Sequence, residues 1–160
     1  MKILVDADSC PQKAREIIIR SALRLEIKAI FAANRQIPGI GCHGTVMEIC
    51  GTEEGAADRR ITELAKPGDL VISRDIPLAH KLVKAGIAVI NDRGREYNRE
   101  NINEMLSLRN FTVGLANNGL EFERTAQYGK KDIKDFACSL DRIITKLLRV
   151  NFQDTASASV

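Results

Sequence analysis

Short apolar runs alternate along this chain with longer stretches of helical period. Residues 2–5 form a β-branched run that stops at Asp6. Residues 28–33, 45–50, 70–73 and 87–90 repeat the pattern of a short buried strand. After the first run, Ala14, Ile17, Ile18, Ala22 and Leu25 recur at helical spacing. They predict a helix over 12–25 with Pro11 in its first turn. Further helices are predicted over 56–65, over 77–85 with Gly86 as C-cap, and near 101–108. Pro38, Gly39, Gly41 and Gly44 mark one loop, and Lys66-Pro67-Gly68-Asp69 a tight turn. Residues 110–128 show no decisive period. From Asp132 a long helix carries Ile133, Phe136, Ala137, Leu140, Ile144, Leu147 and Leu148 on one face.

Strands separated by amphipathic helices imply a parallel sheet covered on both faces. The expectation is therefore an α/β fold, a three-layer α/β/α arrangement around a mainly parallel sheet of about five strands. It fills a single domain over residues 1–152, with a flexible tail over 153–160.

Composition narrows the class. The 160 residues are 44% hydrophobic and 28% charged, as in an ordinary globular domain. No apolar run nears the roughly 18 residues of a membrane span. The opening run, cut at Asp6, is too short for a secretory signal, so a soluble cytoplasmic protein is expected. A net charge of +3 permits a nucleic-acid partner without demanding one. Cys10, Cys42, Cys50 and Cys138 have neither CxxC spacing nor a zinc-like spacing to His43 or His80, so reduced thiols are expected. Cys10 precedes Pro11 at a helix start, where it is either a packed thiol or one activated by the helix dipole.

Ligands of open parallel sheets bind outside the carboxyl ends of the strands. Asp6 and Asp8 follow the first strand, Asp75 the fourth and Asp92 the fifth, while Asp58 opens the helix after the third. All fall at one edge of such a sheet. Gathered carboxylates repel one another unless a cation is bound, and Mg²⁺ or Mn²⁺ with oxygen ligands is the natural answer. Aspartates also suit turns and N-caps, which is the simpler expectation for Asp69 and Asp92.

The segments VDADSCP, GAADRRI and GDLVISRDIPLA, followed by a strand at Gly86-Ile87 and by Arg93-Gly94, resemble the bacterial YaiI/YqxD family. The order and spacing match over about residues 1–110, and Phe136 with Leu140-Asp141 extends the likeness. Where the family has Gly-Pro-Lys, this chain reads Tyr128-Gly129-Lys130-Lys131. The family is similar in turn to PIN-like and NYN nuclease domains. That resemblance implies a PIN-like domain with acids at Asp6, Asp58 and Asp75, the hydroxyl of Ser73 in support, and Asp8 as an extra acid. A further mid-chain acid of PIN domains has Glu48 or Glu54 as its nearest counterpart.

The leading expectation is a metal-dependent nuclease acting on RNA or another single-stranded nucleic acid. Asp6, Asp8, Asp58 and Asp75 would be both its catalytic and its metal-binding residues. Arg59, Arg74, Arg93 and Arg95 would neutralise backbone phosphates, with Arg60 and Lys81 as weaker candidates. Two alternatives stand beside it. One is a non-catalytic PIN-like domain that binds RNA or protein. The other is a haloacid-dehalogenase-like phosphatase, with Asp6 as nucleophile and Asp8 as general acid/base.

Overall fold

The computed structural model describes residues 1–42, 44–119 and 127–157. In chain order the elements are β1 (Lys2–Asp6), α1 (Gln12–Arg24), β2 (Lys28–Ala33), β3 (Thr45–Ile49), α2 (Ala56–Leu64) and β4 (Leu70–Ile72). Then come α3 (Ile76–Lys84), β5 (Ala88–Ile90), β6 (Glu96–Tyr97), α4 (Ile102–Asn117) and α5 (Lys130–Ser157). The strands form one sheet in the order β3-β2-β1-β4-β5-β6. Every neighbouring pair is parallel except β5 with β6. The three-layer α/β/α architecture is as expected, with six strands among the described residues. The added one, β6, is two residues long and has no apolar run of its own to announce it.

Alternation along the strands sorts side chains between two cores. Ile3, Val5, Phe31 and Ile72 face α1 and α5, where they meet Ile18, Phe136, Leu140 and Ile144. Leu4, Ile30 and Val71 face the other way, against Ile61 of α2, Leu78 and Leu82 of α3, and Ile102 of α4. Of the periodic positions read for α1, Ala14, Ile17, Ile18 and Ala22 are buried, while Leu25 follows the helix as its C-cap and is partly buried. In α5, Ile143 joins the buried face, whereas Leu148 is 36% exposed. That helix runs to Ser157, past the expected start of the tail; residues 158–160 lie outside the described residues.

Residues 110–117 continue α4. They lack a helical period because this part of the helix packs against little: Leu108, Phe111 and Val113 are all exposed. Residues 120–126 and His43 fall outside the described residues.

Asp69, expected as a turn residue, closes its turn and does more. Its buried carboxylate accepts hydrogen bonds from the Lys66 and Lys2 amides, both at 2.9 Å, and from Lys2 Nζ at 2.5 Å. One side chain therefore ties the start of β1 to the turn that launches β4. Gly94 has a different duty. Its φ is +82°, and a Cβ there would stand 2.6 Å from the Asp135 carbonyl of α5. The Arg93-Gly94 pair thus lets the β5–β6 loop press against the α5 backbone, and Arg93 completes the contact with a 2.9 Å ion pair to Asp132.

Asp69→Ala leaves two amides without their acceptor in a half-buried setting. It is expected to lower unfolding free energy by about 2 kcal/mol, read as a fall in the urea midpoint at constant slope.

Candidate active site at the switch point of the sheet

The chain leaves β1 toward β2 on one side, and β4 continues toward β5 on the other. The crevice at the carboxyl ends of β1 and β4 is the topological switch point, where open parallel sheets bind ligands. Asp6 ends β1 and Ser73 directly follows β4. Their side chains meet there: Ser73 Oγ donates to Asp6 Oδ2 at 3.1 Å, and Ser9 Oγ donates to the same oxygen at 2.8 Å. Asp6 is only 8% exposed. Burial raises its pKa, the two hydroxyls lower it, and the charges of Asp8 and Asp75 raise it again.

Asp75 caps α3. Its Oδ1 accepts from the Leu78 amide at 2.6 Å, and its own amide donates to Ser73 Oγ at 2.9 Å. Ser73 therefore bridges two of the acids. Asp8 is exposed, and its Oδ2 accepts from the Asn34 amide at 3.0 Å, which joins the loop after β1 to the end of β2. Asp58 lies in the first turn of α2, the helix that crosses back over β1 and β2. Burial pushes its pKa up to about 6, helped by the charges of Asp75 and Asp6 and opposed by Lys81 and Arg59. The four acids chosen from the sequence are thus brought to one edge. Asp6 and Asp58 both feel Asp75, and Asp58 also feels Asp6.

A pattern runs through the hydrogen bonds of Asp6, Asp8 and Asp75. Each spends one carboxylate oxygen on a protein donor, and among the described residues no protein hydrogen bond reaches the other. The side chains are oriented, and half of their acceptor capacity is left over. No group of three or more His, Cys, Asp or Glu side chains among the described residues is set closely enough to form a ready-made metal cage. The donor set fits a hydrated hard ion held by one or two carboxylates, as Mg²⁺ prefers, and does not fit an all-protein shell.

The basic candidates divide into two flanks. Beside Asp58, exposed Arg59 and Lys81 line a cleft of about 530 Å³ between α2 and α3. Arg59 also reaches Glu53 at 3.3 Å across solvent-exposed side chains, a contact of small energy. On the other flank Arg95 is exposed. Arg74 and Arg93 are not free surface cations. Arg74 donates Nε and Nη2 to the carboxylate of Asp92, which is 2% exposed, and Arg93 pairs with Asp132. Arg60 pairs with Glu48 on β3, so Glu48 is engaged away from the switch point, and Glu54 stays exposed in the loop beyond. His80 makes a 3.2 Å contact with Asn103 on α4.

Two further roles differ from the sequence reading or were missed. Asp92 is a buried ion-pair partner and not merely a turn residue. Ser9 supplies a hydroxyl that orients the Asp6 carboxylate, signalled only by its place three residues after a strand-ending acid. Cys10, by contrast, is the packed thiol that the sequence offered as one of its two readings: burial followed by the charge of Asp92 drives its pKa to about 12, outweighing any activation by the start of α1.

Comparison with known proteins places these residues in a family context. The family described as "Uncharacterized BCR, YaiI/YqxD family" matches residues 4–146. A "UPF0178 protein" of Treponema denticola is 48% identical over 155 residues, covering 97% of this chain and 99% of its own. Its counterpart in Treponema pallidum is 48% identical over 94% of this chain and 85% of its own. One from Myxococcus xanthus is 39% identical over 93% of this chain and 97% of its own. No solved structure matches.

The raised pKa of Asp58 has a definite sign in stability. The native state holds the proton more tightly than the unfolded chain, so Asp58 costs stability as pH rises from near 3.8 through about 6. Asp58→Asn is expected to melt above the parent at pH 7, with the difference closing as pH falls toward 4. Thermal unfolding of both proteins across that range checks it.

Proposed function

The chain belongs to the YaiI/YqxD family, and we propose that it is a divalent-metal-dependent nuclease that acts on single-stranded RNA. The observation that supports this reading is the arrangement of Asp6, Asp8 and Asp75 around the switch point, each held by one oxygen and open at the other. Asp6 and Asp75 would hold Mg²⁺ or Mn²⁺ directly, and Asp8 and Asp58 would hold it or orient its waters. When bound, such an ion supplies Lewis acidity toward a phosphoryl group and a more acidic water.

The chain's own groups do the rest. Ser73 holds Asp6 and the amide of Asp75 in one geometry, so the two acids keep a fixed separation. Arg59 and Lys81 on the cleft side, with Arg95 on the other, offer charge to backbone phosphates on both sides of the acids. Asp92 sets the plane of Arg74 through two hydrogen bonds, which leaves Nη1 for a further acceptor. With only two tyrosines and no tryptophan in the chain, base stacking contributes little, and sequence-tolerant binding follows.

One observation favours a second reading, a PIN-like domain that binds RNA or protein without cutting it: Asp8 ties a loop to the end of β2 and Asp75 caps α3, structural duties that need no metal.

The parent is expected to cleave a mixed-sequence single-stranded RNA in Mg²⁺ or Mn²⁺ and to lose this activity in chelator. Asp75→Asn keeps the cap of α3 but removes the charge, and cleavage should fall by more than about a hundredfold, beyond the loss of an outer-shell partner. Ser73→Ala should lose about ten- to a hundredfold. Binding without metal-dependent cleavage would support the second reading. Phosphate release from a small phosphomonoester would support the phosphatase.

A further inference from the structure

The two edges of the sheet are treated differently. At one end β6 is two residues long, and Glu96 is engaged by Arg142 of α5, so that edge is blunted. At the other end β3 reads Thr45-Val46-Met47-Glu48-Ile49, with no proline and no lysine, and no strand among the described residues pairs with its outer side. Ile49 is 62% exposed.

The backbone fixes what this edge offers. Gly44 accepts from the Ala29 amide and Cys50 donates to the Ala33 carbonyl, so the even-numbered residues of this stretch point their polar groups at β2. Directions alternate along a strand, so the outward groups belong to Thr45, Met47 and Ile49. The Thr45 amide is spent on the Cys42 carbonyl at 3.1 Å. What remains is the Thr45 carbonyl and both polar groups of Met47 and of Ile49.

Side-chain facing is equally definite. Thr45, Met47 and Ile49 pair in register with Ala29, Phe31 and Ala33, all members of the core under α1 and α5. On that same face, at the Thr45 end of the edge, lies an apolar groove of about 450 Å³. Ala22, Leu23, Ile27 and Thr45 line it, together with Glu26 and Lys28. Leu23 in it is 45% exposed. An exposed apolar knob and an apolar groove therefore stand at opposite ends of one edge strand, on one face of the sheet.

We propose that β3 pairs antiparallel with β3 of a second copy of this chain, about a two-fold axis at Met47, and that Ile49 of each copy fills the groove of the other. A two-fold interface is self-complementary, and knob and groove at opposite ends of one strand are what that symmetry requires. In this register Met47 exchanges both hydrogen bonds with Met47 of the second copy, and each Ile49 amide donates to the opposing Thr45 carbonyl. Thr45 and Ile49 are then cross-strand neighbours on one face. The register also brings exposed Glu53 and Glu54, in the loop after β3, toward Lys28 of the other copy, which adds charge complementarity at each end. The pairing joins the two sheets and leaves both acidic switch points open, so it stands apart from the nuclease reading.

The test is molar mass by sedimentation equilibrium across a concentration series, together with amide hydrogen exchange. The full chain is expected at twice the 17.7 kDa of one copy, with the Met47 and Ile49 amides protected. Ile49→Lys and, separately, Leu23→Lys change exposed side chains and should leave folded monomers whose Met47 amide exchanges freely. A parent that stays monomeric at its highest soluble concentration overturns the proposal. So does a dimer that survives both substitutions, or one in which the Met47 amide is unprotected.

Discussion

A carboxylate, almost wholly buried, ends the central strand of this sheet, and much of the surrounding structure follows from keeping it there. Asp6 sits where two parallel strands stop together and the chain departs to opposite sides. Burial penalises its charge, and the charges of Asp8 and Asp75 add to the penalty. A lone carboxylate in that position would favour its proton. Two hydroxyls, from Ser9 and Ser73, offset part of the cost by donating to one oxygen. The other oxygen receives no hydrogen bond from the described residues, a disposition costly to the free protein and useful to a protein that takes up a cation.

The rest of the fold fixes that edge in place. Asp69 clamps the opposite end of β1 to the turn before β4, so the two strands that form the crevice are tied at both ends. Arg74 and Asp92 join the loop after β4 to the end of β5, and Tyr128 donates to the Asp92 carbonyl from the segment before α5. Arg93, lying 5.8 Å over the Tyr128 ring, extends the same seam to Asp132. A continuous line of ion pairs and hydrogen bonds thus holds the long α5 helix against the rim of the site.

Much of this was legible in the sequence because it is carried by local rules. Strand and helix alternation set the layers, and the strand-end rule alone assigns Asp6, Asp8, Asp58 and Asp75 to one edge. What sequence reasoning misjudged depends on contacts between distant residues. Arg74 and Arg93 read as free cations because their partners lie 18 and 39 residues away. Asp92 read as a turn residue, and its part as the buried partner of Arg74 depends on the same distant contact. The second half of α4 lacked a readable period for a physical reason, since a helix that buries no face leaves no stripe in its sequence. The short β6 and the role of Ser9 were likewise invisible to periodicity.

The central claim is that charge repulsion at the switch point is relieved by a bound cation. Thermal unfolding of the parent and of Asp6→Asn, each in chelator and in excess Mn²⁺, tests it most directly. In chelator the variant should be at least as stable as the parent. In metal the parent should gain about 2.7 kcal/mol at a hundredfold excess over its dissociation constant, and the variant much less. An equal gain in both proteins, or none in the parent, would contradict the claim and return these strand-end acids to turn and capping chemistry.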